Sequence, residues 1–452
     1  MCALFYGAAP SATRGAGFEK PAGMRCYTFF MDVAERIYRH NAGRDPDLVA
    51  RKYARIASAP FLFLRGTCHL FYEDWKGGRE LDMAPRSWIC GDLHLENMGS
   101  YKGDNRLSYF DLNDFDEAAL APCTWDVARF LVSLHVAGRA LATPLREVRS
   151  LSRCFLDAYG AALADGKARW IERSIATGLI GALLDQVELR KRKAFLDKRT
   201  ERDGKRRRFV IDNDRLYAAS PDDREALLAW FEAFAAKQPD PKFFRPLDIV
   251  RRAAGTGSLG LRRYAVLVRG NGSPNGNYVL DLKPAGASAA GRRLARTQPR
   301  WDSDAQRVVA VQQRAQAIAP AFLMAVEFAG RDWVLKELQP AQDRLDLAAV
   351  RGARHPLADA VGTMGRLVAW SALRASGRQG SAPAQDLVEF AQAREFAKPL
   401  IGYAEEYAAQ VIRDWRAFRD AWRAAGEAAK PRSTASGAKK STRAVPSRRI
   451  AR

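Results

Sequence analysis

Little in the sequence belongs to the signatures that announce a protein class on their own. Six cysteines, Cys2, Cys26, Cys68, Cys90, Cys123 and Cys154, all fall in the first third, and none stands in a CxxC spacing. This argues against a zinc site and against a disulfide framework, and predicts reduced, mostly buried thiols. No apolar run approaches the roughly 20 residues that span a bilayer. The opening MCALFYGAAPSATRGAG has no basic stretch ahead of its apolar patch, so it does not read as a secretory signal. A cytoplasmic protein with no membrane partner is expected.

Acid is scarce relative to base, 51 residues against 73, for a net charge of +22. Beyond Glu427 there is no acid, while Lys430, Arg432, Lys439, Lys440, Arg443, Arg448, Arg449 and Arg452 are all basic. Such a Ser-, Ala- and Pro-rich tail is expected to be disordered. It could touch nucleic acid non-specifically or serve solubility alone. No zinc-finger or RNA-recognition signature accompanies the charge, so a dedicated nucleic-acid-binding fold has no further support.

What is present is an ordinary globular composition, 47% hydrophobic and 10% aromatic over 452 residues, enough for two or more core-bearing units. Residues 88–117, WICGDLHLENMGSYKGDNRLSYFDLNDFDE, are the most informative stretch. Two apolar, strand-like runs, 87–90 and 107–110, each lead into a polar segment that opens on a carboxylate. Asp92 and Asn97 are five residues apart, and Asp111, Asn113, Asp114, Asp116 and Glu117 follow the second run. Hard oxygens grouped in this way suit Mg²⁺, which takes a few of them and completes its shell with water and substrate phosphate. An Asp base with an Asn ligand five residues later is the catalytic loop of phosphoryl-transferring kinases. The spacing therefore predicts Asp92 as catalytic base and Asn97 and Asp111 as metal ligands. A solvated, Asx-capped turn is the competing reading of either segment alone. His94 reads as a loop-ordering partner, and Arg65, inside the apolar run 59–75, as a buried ion-pair partner or a phosphate contact.

A second signal lies at 249–285, IVRRAAGTGSLGLRRYAVLVRGNGSPNGNYVLDLKPA, which reads as strand, glycine-rich turn, strand, hairpin and strand. Its GxGxxG would need a helix straight afterwards to be a dinucleotide-binding fingerprint, and AVLV follows instead. A glycine loop between two strands, with a lysine on the third, is again a kinase arrangement. Gly255, Gly257, Ser258 and Gly260 are therefore the expected phosphate cradle and Lys283 the expected cation. An edge-strand lysine is the alternative for Lys283.

GDLHLEN followed by YFDLNDFDEA resembles the GDxHxxN and following Asp of aminoglycoside-phosphotransferase-like kinases. PFLFLRG, CGDLHLENMG, FDLNDFDEA and TWDVARFLVSL together resemble the bacterial family known as domain of unknown function 2252, over residues 53–422. Cys90 departs from the kinase pattern, standing where many of those enzymes have His. The resemblance implies that Asp126, in the predicted helix 123–141, helps hold the catalytic loop; a helix N-terminal acid is the simpler alternative. Residues 302–319 read as a helix in the place of the kinase αC helix, without a glutamate placed to meet Lys283; Gln312 or Gln313 could substitute.

The catalytic loop precedes the glycine loop, the reverse of the kinase order. The expected fold is therefore α+β and protein-kinase-like, two-lobed and circularly permuted, a change that preserves spatial contacts. A helical lobe with the catalytic and metal loops spans 1–160, a helical and charged connection 161–245, and a β-rich nucleotide lobe 246–343. Helices completing the first lobe span 344–428, and the basic tail 429–452. The expected function is an ATP- and Mg²⁺-dependent phosphotransferase acting on an acceptor the sequence does not identify. A non-catalytic, pseudokinase-like nucleotide-binding scaffold, favoured by Cys90 and the missing αC glutamate, and a transferase of AMP are the alternatives.

Overall fold

The computed structural model of the chain describes residues 32–345 and 354–428. Cys2, Cys26 and the basic tail lie outside them. Fifteen α-helices and twelve strands occur among the described residues. The first helices are α1 (Val33–His40), α2 (Pro46–Ser58), α3 (Pro60–Gly66), α4 (Cys68–Glu73) and α5 (Gly78–Asp82). The periodicity over 29–55 predicts one continuous helical pattern, whereas the chain breaks at 41–45. There the Asp45 carboxylate accepts from Leu48 N at 3.1 Å and Pro46 occupies the first helical position, starting α2 afresh.

Next come β1 (Arg86–Ile89), β2 (Met98–Lys102), β3 (Ser108–Leu112) and β4 (Ala119–Pro122), then the central helix α6 (Thr124–Ala140) and α7 (Leu145–Asp165). β1 pairs with β4, and β2 with β3, both antiparallel. α8 (Gly178–Glu188) follows a non-helical stretch, so 151–189 is not one continuous helix. The charged run 189–209 is not a plain loop either. It holds α9 (Arg192–Asp197) and a hairpin of β5 (Thr200–Asp203) and β6 (Arg206–Phe209), anchored by buried Arg207 pairing with Asp197 at 2.7 Å.

β7 (Leu216–Tyr217), α10 (Pro221–Ala236), β8 (Pro246–Arg252), β9 (Tyr264–Val268) and β10 (Tyr278–Pro284) come next. They are followed by α11 (Ala289–Arg293), α12 (Asp304–Ala315), β11 (Met324–Phe328) and β12 (Arg331–Glu337). Six of these strands form one antiparallel sheet in the order β11-β12-β10-β9-β8-β7. Side chains alternate across it. Tyr264, Val266, Leu280, Leu282 and Leu335 pack beneath Leu227 and Phe231 of α10. Val250, Ala265, Leu267 and Val279 face the other way, with Phe195, Phe209 and Leu216. Lys283 and Asp281 share the period of Val279, so they stand on that second face.

The last described elements are α13 (Arg354–Arg374), α14 (Ala384–Ala393) and α15 (Ala397–Ala428), which return to the helical body built by residues 33–190. α13 lies on α7 at a glycine, since a Cβ on Gly365 would sit 2.4 Å from Phe155 O. α6 is buried on nearly all sides and carries Trp125, Phe130, Leu131 and Leu134 into this core, as its sequence predicts. Cys68, Cys90 and Cys123 are buried and free, and Cys154 is half-buried. No described helix is long and apolar enough to cross a membrane.

Candidate functional site

The loop 90–97 leaves β1 through Gly91, whose φ is +85° and where a Cβ would lie 1.9 Å from Glu117 O. Only glycine fits that approach. Asp126, in the first turn of α6, accepts from Cys90 N at 2.7 Å and Gly91 N at 3.0 Å. It therefore holds the loop from below. Burial pushes its carboxyl up to about 6 even against those two hydrogen bonds. One helical turn on, the fully buried Arg129 donates through Nε to Asp92 Oδ1 at 2.7 Å, contacts the same oxygen through Nη2, and donates to Leu64 O at 3.1 Å. Burial raises the Asp92 carboxyl from its ordinary value while Arg129 opposes the rise. The carboxylate is 23% exposed, on a cavity of about 550 Å³ that it helps to line.

Asn97 ties this loop to the acidic segment. Its Nδ2 donates to Asp92 O at 2.9 Å and Asp114 O at 3.3 Å, and its Oδ1 accepts from Asp114 N at 2.9 Å. The β2–β3 hairpin, with Met98 opposite Leu112, makes this meeting possible. His94 is buried and accepts from Glu96 N at 3.1 Å, with Arg65 Nε 3.3 Å from its other nitrogen. Burial first, then Arg65, keeps it neutral, as suits a loop-ordering role. Arg65 pairs with Glu96, the ion-pair role its sequence suggests, and also lines the cavity.

The structure does not bring Asp111 to this cavity. β3 continues through Leu112, so Asp111 sits inside a fully buried strand, 2% exposed. Its carboxylate meets Arg374 at 3.1 Å and also accepts from Leu112 N at 2.9 Å. Asp114 and Asp116, the first carboxylates past the strand, line the cavity instead, with Phe115 between them buried in the core. The hint was in the alternation: SYFDL keeps Asp111 within the strand period, and DFD begins where that period stops.

Lys283, nearly 200 residues later than Asp92, lines the same cavity. Its Nζ is 3.7 Å from Asp114 Oδ1 and in direct contact with Asp116 Oδ2. Burial alone would raise the Asp114 carboxyl, but Lys283, Lys336 and Arg263 hold it below its ordinary value. Gln312 does not meet Lys283; it bonds Gln316 at 3.0 Å. α12 contributes Arg307 instead, which donates to Asp116 O at 3.2 Å and Gly286 O at 2.8 Å and so steadies the acidic loop.

Gly255, Gly257 and Ser258 line the cavity too. The loop they form is docked on the helical body, because Gly257 O accepts from Arg44 Nη1 at 2.8 Å and from the buried Lys52 Nζ at 2.9 Å. No signal in the sequence marks those two contacts. Gly260 takes a different place, at φ +87° against Val49 and Arg44, with its carbonyl accepting from Asp45 N at 3.0 Å. It anchors the loop and does not line the cavity.

Arg65, His94, Asp114 and Gly255 also border a wider cavity of about 1470 Å³ beneath the sheet. Its apolar end is Phe209, Leu216, Ala265, Val279 and Leu338. Its polar part holds Asp281, paired with Arg252 at 2.9 Å and with Arg263, and Lys336, whose ammonium burial pushes down to about 8. Among the described residues no group of three or more His, Cys, Asp or Glu is arranged to hold a metal by itself. Asp114 and Asp116 are hard-oxygen donors of the kind a phosphate-bound magnesium ion needs in small number. They fit an ion that arrives with its substrate better than one held in a closed protein cage.

No curated protein and no solved structure matches the chain. A family model described as an uncharacterized protein conserved in bacteria matches residues 44–421, spanning the 90–97 loop, the six-stranded sheet and the returning helices. The chain belongs to that family, DUF2252.

Proposed function

We propose that the protein is an ATP- and Mg²⁺-dependent phosphotransferase with a circularly permuted, kinase-like fold. The observation that carries the reading is the convergence of Asp92, Asp114, Asp116, Lys283 and the Gly255–Ser258 backbone on one cavity. Nothing in packing alone calls for this set. Each half is an incomplete phosphoryl-transfer site, and together they supply a base, hard oxygens, a cation and a phosphate cradle. The order of elements supports the permutation, since α13–α15 rejoin the body that α1–α8 begin.

In this reading the apolar end of the wider cavity, at Ala265, Val279 and Leu338, takes the adenine. The phosphates run past Lys336 and Lys283 beneath the glycine loop. Magnesium, held by Asp114 with Asp116 or Asn97 beside it, would neutralise charge on the β- and γ-phosphates. Asp92 holds an acceptor hydroxyl in line with the γ-phosphorus. The acceptor oxygen forms the new P–O bond, the bond to the ADP oxygen breaks with its electron pair leaving on ADP, and the hydroxyl proton passes to Asp92. Arg129 fixes the Asp92 carboxylate for this step, and Asp126 fixes the loop that carries it. Phosphoryl transfer asks for positioning and charge stabilisation more than covalent help from the protein.

Thermal-shift titration tests the reading. A ligand that binds the folded state raises the melting temperature by mass action, so ATP with Mg²⁺ should do so and ATP with a chelator should do so much less. No shift with any nucleotide and divalent metal would overturn it.

A further inference from the structure

Part of the cavity beside Asp92 is lined by residues that the wider, nucleotide-sized cavity does not share. They come from α1, the turn that follows it, α4 and α11, and include Arg39, His40, Arg44, His69 and Arg292. Two observations point to a ligand there. The His40 and His69 rings are stacked, with centroids 3.8 Å apart and planes 3° from parallel. His69 is 2% exposed, yet neither of its ring nitrogens has a hydrogen-bond partner. Thr256 Oγ1, in the glycine loop on the same cavity, is likewise buried and unpartnered. A native fold leaves such groups unpaired rarely, because each one costs its full desolvation.

Charge narrows the choice. Arg36 is neutralised by Glu73 and Asp74, at 2.7 and 2.8 Å. Arg44 is committed to Gly257 O. Arg39 and Arg292 form no ion pair among the described residues, and both line the cavity; Arg292 spends one donor, Nη1, on Ala287 O at 3.0 Å and keeps the others. Burial, then the neighbouring cations, pushes His40 down to about 3; burial, then His40 and those cations, pushes His69 down to about 2. Both rings are therefore neutral at ordinary pH. A neutral imidazole offers one donor and one acceptor, which matches a hydroxyl, while an unpaired guanidinium matches an anion.

We infer that this region is the acceptor subsite of the phosphotransferase, and that the acceptor is a small anionic alcohol: a hydroxyl-bearing phosphate monoester or carboxylate. Arg39 and Arg292 take its anionic group, and the His40–His69 pair with Thr256 orders its hydroxyls so that one of them reaches Asp92. The subsite is one part of the cavity of about 550 Å³, whose remainder, at Lys283, Asp114 and Asp116, is left to the phosphates and the metal. A cationic amino sugar would meet two guanidinium groups without carboxylate partners among the described residues and is disfavoured.

The inference rests on the phosphotransferase reading, and one experiment separates the two. The full chain is saturated with Mg²⁺ and a non-hydrolysable ATP analogue, filling the ground around Lys283, and is then titrated calorimetrically. The probes are glycerol 3-phosphate, glycerate, glycerol and 3-amino-1,2-propanediol. The two anions should bind at least about tenfold more tightly than glycerol, with the amine weakest, and their order assigns phosphate or carboxylate. Arg39→Ala and Arg292→Ala should each weaken the preferred anion by about tenfold while leaving the analogue's affinity unchanged. His69→Ala should weaken glycerol and the anions alike; if it fails to fold, the two arginine variants still decide. Equal binding of glycerol and the anions, no binding of any probe, or arginine variants that bind as tightly as the parent would each overturn the inference. Failure of the analogue itself to bind counts against the phosphotransferase reading instead. The same titrations without the analogue then decide the anion site by the same criteria.

Discussion

Lys283 Nζ lies 3.7 Å from the Asp114 carboxylate and touches that of Asp116, which joins a lysine in the middle of the six-stranded sheet to the acidic loop that ends β3. The contact is the seam between two stretches nearly 170 residues apart along the chain, the pair that the proposed permuted fold would bring together. It also distributes the acidic cluster into roles. Asp111 faces inward to Arg374, and Asp114 and Asp116 face the cavity.

Two substitutions separate those roles. Asp114→Asn should abolish the Mg²⁺-dependent part of the ATP-induced thermal shift and change stability little, since its side chain is largely exposed. Asp111→Asn should do the opposite, because removing one partner of a buried pair leaves Arg374 uncompensated at a cost of about 3 kcal/mol. Denaturant unfolding combined with nucleotide titration reads both effects. An Asp111→Asn protein of parent stability that has lost the metal dependence would return the ligand role to Asp111.

Asp92→Asn should bind Mg²⁺-ATP as the parent does and lose transfer by roughly 10²- to 10⁴-fold, the range for removing a general base. Phosphate released to water in the absence of an acceptor is the first activity to measure, with the acceptors named above added in turn. An Asp92→Asn protein with parent turnover removes Asp92 from the base role.

How much of this was legible depends on whether a local pattern or a long-range meeting fixes each group. β8, β9, β10, the glycine loop and Lys283 were readable because period-two alternation and glycines are local signals. That Asp92 and Asn97 share one loop was readable from their spacing. Asp111 misled because the strand runs two residues past the apolar run 107–110, and a carboxylate inside a strand is held by whatever helix packs on it, here Arg374 of α13. Arg207 shows the same limit. It looks like one of many surface charges in a basic run, but the β5–β6 hairpin buries it against Asp197. The Lys52 and Arg44 bonds to Gly257 O join residues more than 200 apart, and no pattern in either stretch encodes them.

Lys336 gives the site a pH dependence of known sign. Its folded pKa of about 8 means that it is charged below pH 8 and loses its proton above. A polyphosphate prefers the charged form, so nucleotide affinity should fall as pH rises through 8, by at most about tenfold per unit. Lys336→Arg keeps the charge and should flatten that fall. Calorimetric affinities between about pH 6.5 and pH 9.5, about a unit and a half either side of the transition, check it. A parent curve flat across that range would take Lys336 out of the nucleotide's reach.

The hydrogen bonds from Cys90 N and Gly91 N to Asp126 predict how stability itself responds to acid. The Asp126 carboxyl is raised by burial to about 6 in the folded protein, above its ordinary value of 3.8 in an unfolded chain. Between those values the folded state holds the proton more tightly than the unfolded state does. Its contribution to stability is therefore fully present below 3.8 and is lost as pH rises through 6. Asp126→Asn removes the titration, so the stability difference between parent and variant should shrink as pH rises across this window. Subtracting the two curves cancels other titrating carboxyls, of which Asp414, also raised to about 6, is the nearest in pKa. The amide must also present one N–H where the carboxylate presented an acceptor, so the variant should be less stable at every pH, by about 1 to 3 kcal/mol for a buried donor left unpaired. Urea unfolding of both proteins from about pH 3 to pH 7.5, the span bracketing both pKa values, measures each part. A difference that does not change with pH would mean that Asp126 titrates alike in the folded and unfolded chains, and a variant as stable as the parent would mean that the 90–97 loop is held by Arg129 and Asn97 without it.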